Sequence, residues 1–599
     1  MTKMTKILAL CGAATLLVAQ PASAQQSAAA TTSAPEAPSA DWIERSNAYT
    51  MQLAMVDAKF MPEYASATGY EQYDGKTFDI SKDSDLAKLA AYKDLRKKFA
   101  DALGSEKDIH VKQDLQILID SLDLNIEQIE LGRKLTIDWY NMPETIFGSI
   151  TNLLDDQIAP ERRVKAVELL RRYTGVSPDT EAYTEQAKAR FRESMGEGKV
   201  GPYDVEVRES VEKFPVYAKG IRDLFEKYDI EGADEALAAM DRQFADYGKW
   251  TTETVLPVAR SNPQLPPELY ALRLRDVGID IPPETAAAQA RAGFYELRQQ
   301  IDILSKDVAQ KFGFEKTDYL SVLAALKKQK IDDAKIEDYY RGINRQIEAK
   351  MKAAGIADVP ASELKMRLAT PAEEANQPAP HMLPPRLVGN TGEQGTFVLT
   401  KGDSSAGEDA AYNDFNFPAA AWTLSAHEAR PGHEMQFAAL VDQGVSLARL
   451  LYAFNSVNVE GWALYAEAEM LPEEPVEGQL IATQFRLLRA ARAFLDPMLN
   501  LGQIDRSEGE RILREEAGFS APMAKQELDR YTFRMPGQAG AYYYGYRQLI
   551  NLRVEAETRL GDKFDRKAFN NFLLSQGIIP LNLIAKAVRE DFIPAQLAK

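Results

Sequence analysis

From about Asp41 to Lys352, apolar residues return at a helical interval with charged residues between them, and the pattern predicts helix almost throughout. One such helix spans Ile109 to Leu135, a stretch rich in Leu and Ile with few breakers. Another runs from Pro160, a residue suited to the first helical position, to Tyr173. Val164, Val167, Leu170 and Tyr173 recur every three residues along it, and Gly175 follows as a stop. No long linker interrupts the region, so one large helical lobe or two lobes sharing a deep cleft are expected.

The character changes between Val359 and Arg386. Pro360, Pro371, Pro378, Pro380, Pro384 and Pro385 break any helix there, because proline has no N–H to give and its ring crowds the preceding turn. Gly395 to Thr400 then reads as a short strand. An edge strand at this place can hydrogen-bond an extended peptide; a small structural hairpin would leave the same pattern. The expected organisation is a mainly α fold with a small β element, a helical lobe over residues 41–358 and a second lobe over residues 359–599, together one domain of about residues 40–590.

The start of the chain changes this picture only at its edge. Lys3 and Lys6, the apolar run Ile7 to Ala19 and the small residues Ala22-Ser23-Ala24 have the form of a secretory leader, residues 1–24. Cys11 is the only cysteine and lies inside that apolar run, so it leaves with the leader. Gln25 to Ala40, rich in Ala, Ser, Thr and Pro, reads as a flexible tether. Nothing after residue 24 is long and apolar enough to span a bilayer. A soluble periplasmic or secreted protein is expected. Loss of Lys3 and Lys6 takes the formal charge from −18 to −20, which disfavours nucleic acid as a partner.

Candidate chemistry is concentrated in one segment. The chain has four histidines, and two of them stand in His427-Glu428-Ala429-Arg430-Pro431-Gly432-His433. Glu460 follows, opening the run Glu460 to Glu467. Two imidazoles and a later carboxylate are the ligand set of a catalytic zinc site with an open position, one ion per chain. Glu428 is then a spare carboxylate able to take a proton from water. The spacing is unusual. On a straight helix six residues turn through about 600°, leaving the second ring about 240° from the first. Pro431 cannot bond back to the carbonyl of His427, so the helix must bulge or break there, and Gly432 can take backbone angles closed to other residues. A looped-out turn would return His433 to the side of His427. A plain helix end followed by a turn is the alternative. Glu467, two turns beyond Glu460 on the same face, can orient a ligand imidazole or be a solvated carboxylate. His381 falls on the proline-rich loop, where a surface position is expected, and His110 in an early helix has no assigned role.

The heptapeptide, the Glu460–Glu467 run and Met535-Pro536-Gly537-Gln538-Ala539 together resemble the bacterial family called domain of unknown function 885, over roughly residues 40–590. The resemblance implies a mostly helical, zincin-like metallopeptidase fold, similar to thimet-type oligopeptidases and Taq-type carboxypeptidases. It implies His427, His433 and Glu460 as zinc ligands, Glu428 as general base and a peptide as substrate. Tyr542 matches the tyrosine of the family's Pro-Gly-Gln-Ala-x-x-Tyr pattern, which makes it the first candidate to stabilise an oxyanion. Tyr546, one turn on, is the second; Tyr543 and Tyr544 are expected to fill space. Arg534 and Arg547 can hold a substrate carboxylate. Asn500 stands where family members often carry a histidine, and an amide there can bind substrate but cannot carry a proton. Two rival readings remain: a zinc amidase acting on cell-wall peptides or small amides, and a non-catalytic periplasmic binding protein on a peptidase fold.

Overall fold

The computed structural model describes residues 41–67, 70–155, 158–369, 379–385, 393–401, 413–443 and 445–599. The leader and the tether, with Pro371 and Pro378, lie outside the described residues. Among the described residues helix accounts for 72% and strand for 3%, so the mainly α expectation stands and the β element there is three short strands.

The helix from Ile109 to Leu135 has the bounds the sequence predicts, and the Asp108 carboxylate caps it by accepting from the N–H groups of His110 and Val111. The stretch from Pro160 to Tyr173 differs. It forms two pieces, Pro160–Arg163 and Lys165–Tyr173. Ala166, Leu169, Leu170 and Tyr173 face inward while Val164 is 53% exposed. The reason is helical drift: at 3.6 residues per turn, nine residues turn through about 900°, so Val164 and Tyr173 lie on opposite faces. A three-residue recurrence is not a stripe.

Three strands, β1 (Lys365–Leu368), β2 (His381–Leu383) and β3 (Thr396–Leu399), form a sheet in the order β1-β3-β2. β3 runs parallel to β1 and antiparallel to β2. The strand expected at the edge is therefore the central one; its N–H and C=O groups are used on both sides. β2 is an edge strand, and His381 opens it in a buried position, not on an exposed loop.

Seven helices frame the region of interest: α1 (Pro283–Phe312), α2 (Ile336–Ala354), α3 (Ala420–Glu428), α4 (His433–Gln443), α5 (Ser456–Met470), α6 (Val476–Asn500) and α7 (Ala541–Leu560). The longest, α1 and α6, pack along each other, and α3 is set against α2, α5 and α6. α5 is apolar or small on nearly every side and is buried almost all round. It crosses α7 closely because both carry glycine at the crossing. A Cβ on Gly461 would come within 2.6 Å of the Gly545 carbonyl carbon, and one on Gly545 within 2.0 Å of the Val457 oxygen.

The main hydrophobic core is shared along the chain. It takes Leu53, Phe99 and Leu118 from the first helices, Phe294, Ile301 and Ile347 from the middle, and Ala426, Tyr465, Leu488 and Phe494 from the helices around the histidines. A second core, with Ile146, Leu170, Phe214 and Tyr247, is built wholly from residues between Ile80 and Tyr247.

Candidate metal centre

The helix that begins at Ala420 ends at Glu428, where Ala429 leaves helical geometry with φ −101° and ψ −110°. A new helix starts at His433. Proline has thus produced a break, and the peptide before Pro431 is cis. Gly432 serves it in a way the sequence reading did not foresee. It is not among the residues with positive φ; it is needed because a Cβ there would lie 1.9 Å from the His427 carbonyl oxygen. The corner is held from three sides. Arg430, 1% exposed, donates through Nε and Nη2 to Glu434 at 2.7 and 3.2 Å, through Nη1 to Glu348 at 2.8 Å and through Nη2 to the Ser362 carbonyl at 2.8 Å. Trp462 Nε1 donates to the Pro431 carbonyl at 3.0 Å. Sequence reasoning missed both; the only local signal is the four-residue spacing of Arg430 and Glu434.

The two rings come back together, with centroids 4.8 Å apart and planes at 83°. Glu460 arrives from α5: its Oε2 is 3.6 Å from His427 Nε2 and 3.5 Å from His433 Nε2. One ligand atom from each of His427, His433 and Glu460 lies within 4.8 Å of the others, and all three residues are buried. Two ligands each about 2.0–2.1 Å from a tetrahedral centre lie about 3.4 Å apart, close to the two spacings to Glu460. Glu460 Oε2 is fully buried without a hydrogen-bond partner. A buried carboxylate oxygen in that state needs a cation, so the donor set fits a metal ion. A buried amide pair keeps α4 and α5 in register: Gln436 Nε2 donates to Asn458 Oδ1 at 3.1 Å, and Asn458 Nδ2 donates to the Ile579 carbonyl at 2.6 Å.

Two further carboxylates flank His427. Glu467 is entirely buried; its Oε1 is 2.6 Å from His427 Nδ1, and its Oε2 accepts from Thr423 at 2.9 Å. It is therefore no solvated carboxylate. Burial works against a charged His427, but Glu460, Glu467 and Glu428 outweigh it and push the imidazole up to about 9. Glu428, with its side chain 15% exposed, is the most open of the group. Its Oε2 accepts from the Met382 N–H of β2 at 3.0 Å, and its Oε1 is 3.9 Å from His427 Nε2. One oxygen is anchored and the other faces the cluster.

Tyr542 is buried nearby, with the Arg492 guanidinium 4.6 Å from its ring. Arg530 Nη2 donates to its hydroxyl at 3.0 Å, which leaves the tyrosine's own proton to give. Gln538 accepts from Arg530 and donates to Ser456 Oγ at 2.9 Å, and Arg492 is fixed by two 2.7 Å bonds to Glu527. Tyr546 is half-buried, with the Arg486 guanidinium 5.2 Å from its ring. Tyr543 packs its hydroxyl against Gly293 of α1, and Tyr544 bonds to Asp280. Asn500 is buried and gives its amide to Asp496 and to the Tyr531 carbonyl at 3.0 Å. Asp496 in turn accepts from the N–H of Gly537 at 2.9 Å, securing the loop that leads into α7. Arg534 and Arg547 are both exposed, Arg534 beside Phe533 and Arg547 beside Tyr543 and Tyr544. His110 is exposed at its helix start and lies tilted against Trp42, with ring centroids 4.8 Å apart.

Fold and site thus define a mainly helical protein with a buried cluster of two histidines and a glutamate able to hold a metal ion. Residues 62–588 match the family described as bacterial protein of unknown function (DUF885), and the chain belongs to that family. Two solved structures share the fold. One, described as "a putative lipoprotein of unknown function" from Shewanella oneidensis, is 18% identical with a TM-score of 0.73, over 92% of this chain and 100% of that one. The other, a "putative lipoprotein" from Colwellia psychrerythraea, is 18% identical with a TM-score of 0.66, over 93% and 98%. No curated protein matches the chain.

Proposed function

We propose that the protein is an exported zinc-dependent peptidase of zincin-like fold. The observation that carries the reading is the convergence of His427, His433 and Glu460 from three helices, with a half-open carboxylate, Glu428, facing the same imidazole nitrogen. A zinc ion held there supplies Lewis acidity that makes water nucleophilic near neutral pH and polarises the scissile carbonyl. Glu428 Oε1 takes the proton of the attacking water while Oε2 stays on the Met382 N–H. As the water oxygen bonds to the carbonyl carbon and the C–N bond breaks, Glu428 passes that proton to the leaving nitrogen. Tyr542 donates to the developing oxyanion, steadied by Arg530 at its own oxygen. β2, an edge strand touching Glu428, offers a backbone along which an extended peptide can lie. Export is supported by the leader pattern of residues 1–24 and by the lipoprotein descriptions of the two neighbours. Among the described residues no helix is long and apolar enough to cross a membrane.

Metal analysis with a paired variant tests the reading. Purified protein is expected to carry about one zinc per chain. Glu428→Gln should keep the metal and lose turnover of unstructured peptides; undiminished turnover in that variant, or action on cell-wall fragments alone, rules the peptidase reading out.

A further inference from the structure

The buried arginines of α6 raise a question that the metal centre does not answer. Arg486, Arg489 and Arg492 recur every three residues on the part of α6 that faces α5 and α7, and each is at least nine-tenths buried. Arg492 is fully paired with Glu527. The other two are not. Nε and Nη2 of Arg486 and Nε and Nη1 of Arg489 are buried without any hydrogen-bond partner. The nearest carboxylate to Arg489 is Glu467, at 3.7 Å, and both oxygens of Glu467 are already committed to His427 and Thr423. Glu474, the acid beside Arg486, is also buried with both oxygens unpartnered, so no hydrogen bond joins it to the guanidinium; burial, with Glu467 near, pushes its carboxyl up to about 8. Buried donors on a cation are almost always satisfied, and an unpaired buried charge costs several kcal/mol. Arg489 has the charge of Glu467 beside it, yet four donors on the two arginines remain open, and open buried donors on cations form a receptor for an anion.

Their position says which anion. Arg489 adjoins Glu467, which adjoins His427, and it lies in the field of Glu460 and Tyr542. Arg486 lies against Tyr546. The open donors therefore belong to side chains that adjoin the partner of a candidate ligand, Glu467, and the candidate oxyanion tyrosine Tyr546. Guanidinium groups match a carboxylate with two parallel N–H bonds. Building on the peptidase reading, we infer that Arg486 and Arg489 receive the terminal carboxylate of the substrate, so that this site cleaves peptides close to a free C-terminus. Arg534 and Arg547, both exposed, lack the desolvation that makes such a contact selective.

The test compares an internally quenched short peptide ending in a free carboxylate with the same peptide capped as the amide. The zinc-loaded wild-type protein should favour the acid by about tenfold or more in kcat/KM, the range expected for hydrogen bonds to a charged group. Arg489→Met and Arg486→Met should each erode that preference, chiefly through KM. Direct binding of the two peptides to zinc-loaded Glu428→Gln protein should show the same preference without turnover. Equal cleavage and equal binding of acid and amide by the wild-type chain overturn this inference and leave the peptidase reading standing. Cleavage of neither peptide by fully loaded protein overturns both.

Discussion

The imidazole of His427 and the carboxylate of Glu467 meet at 2.6 Å in the interior of the protein, with no solvent on Glu467 at all. The contact fixes Nδ1 as the protonated nitrogen and turns Nε2 toward Glu460. Glu467→Gln should therefore weaken zinc about 10–100-fold, the usual cost of removing a ligand's supporting carboxylate. Zinc titration against a competing chelator measures it; unchanged affinity would mean the ring is held by packing alone.

Gly432→Ala places a methyl group 1.9 Å from the His427 carbonyl oxygen. The corner must open, at a cost of about 1–3 kcal/mol or more from overpacking, and the two histidines separate. Urea unfolding and metal content should fall together.

The crossing of α5 and α7 predicts a different failure. Gly545→Ala would push a Cβ to within 2.0 Å of the Val457 oxygen. The displacement moves Tyr542 relative to Glu460, while the other two candidate ligands, His427 and His433, sit on helices outside the crossing. Turnover should fall far more than zinc content.

Tyr542→Phe removes one hydroxyl, the one that accepts from Arg530. Loss of an oxyanion donor lowers kcat by about 10²–10³. Zinc content should be unchanged, and a kcat within twofold of wild type would move the role to Tyr546.

The Glu527–Arg492 pair gives a pH signature. Burial acts to raise the Glu527 carboxyl, but Arg492 and Arg530 outweigh it and hold it at about 2, below its ordinary value of 4.5. A depressed folded-state value means the pair stabilises above the ordinary pKa and loses its contribution as pH falls through the folded one. Glu527→Gln, which strands a buried Arg492, should cost about 3–5 kcal/mol at pH 7. In denaturant melts the gap between variant and wild type should shrink steadily between pH 4.5 and pH 2.

The grouping of His427, His433 and Glu460 was legible because a proline and two histidines in seven residues leave the backbone few ways to behave. The helix from Ile109 to Leu135 was legible for a similar reason: its period is long and unbroken. What escaped is contact at a distance. Nothing near Arg430 in sequence announces Glu348 or the Ser362 carbonyl, and nothing near Asn458 announces Gln436 or Ile579. The unpaired donors of Arg486 and Arg489 are a property of their surroundings, invisible in a helix that reads as ordinary. β3 was misplaced at the edge because strand order depends on pairing between segments whose separation carries no periodic signal.

The main core has no seam at the point where the chain turns from its early helices to those bearing the histidines. α1 lies along α6, so Phe294 meets Phe494 at 5.3 Å between ring centroids. A fragment begun at residue 359 would lay that surface bare. Expressed alone, such a fragment would present that aromatic and aliphatic face to water and should clump rather than dissolve.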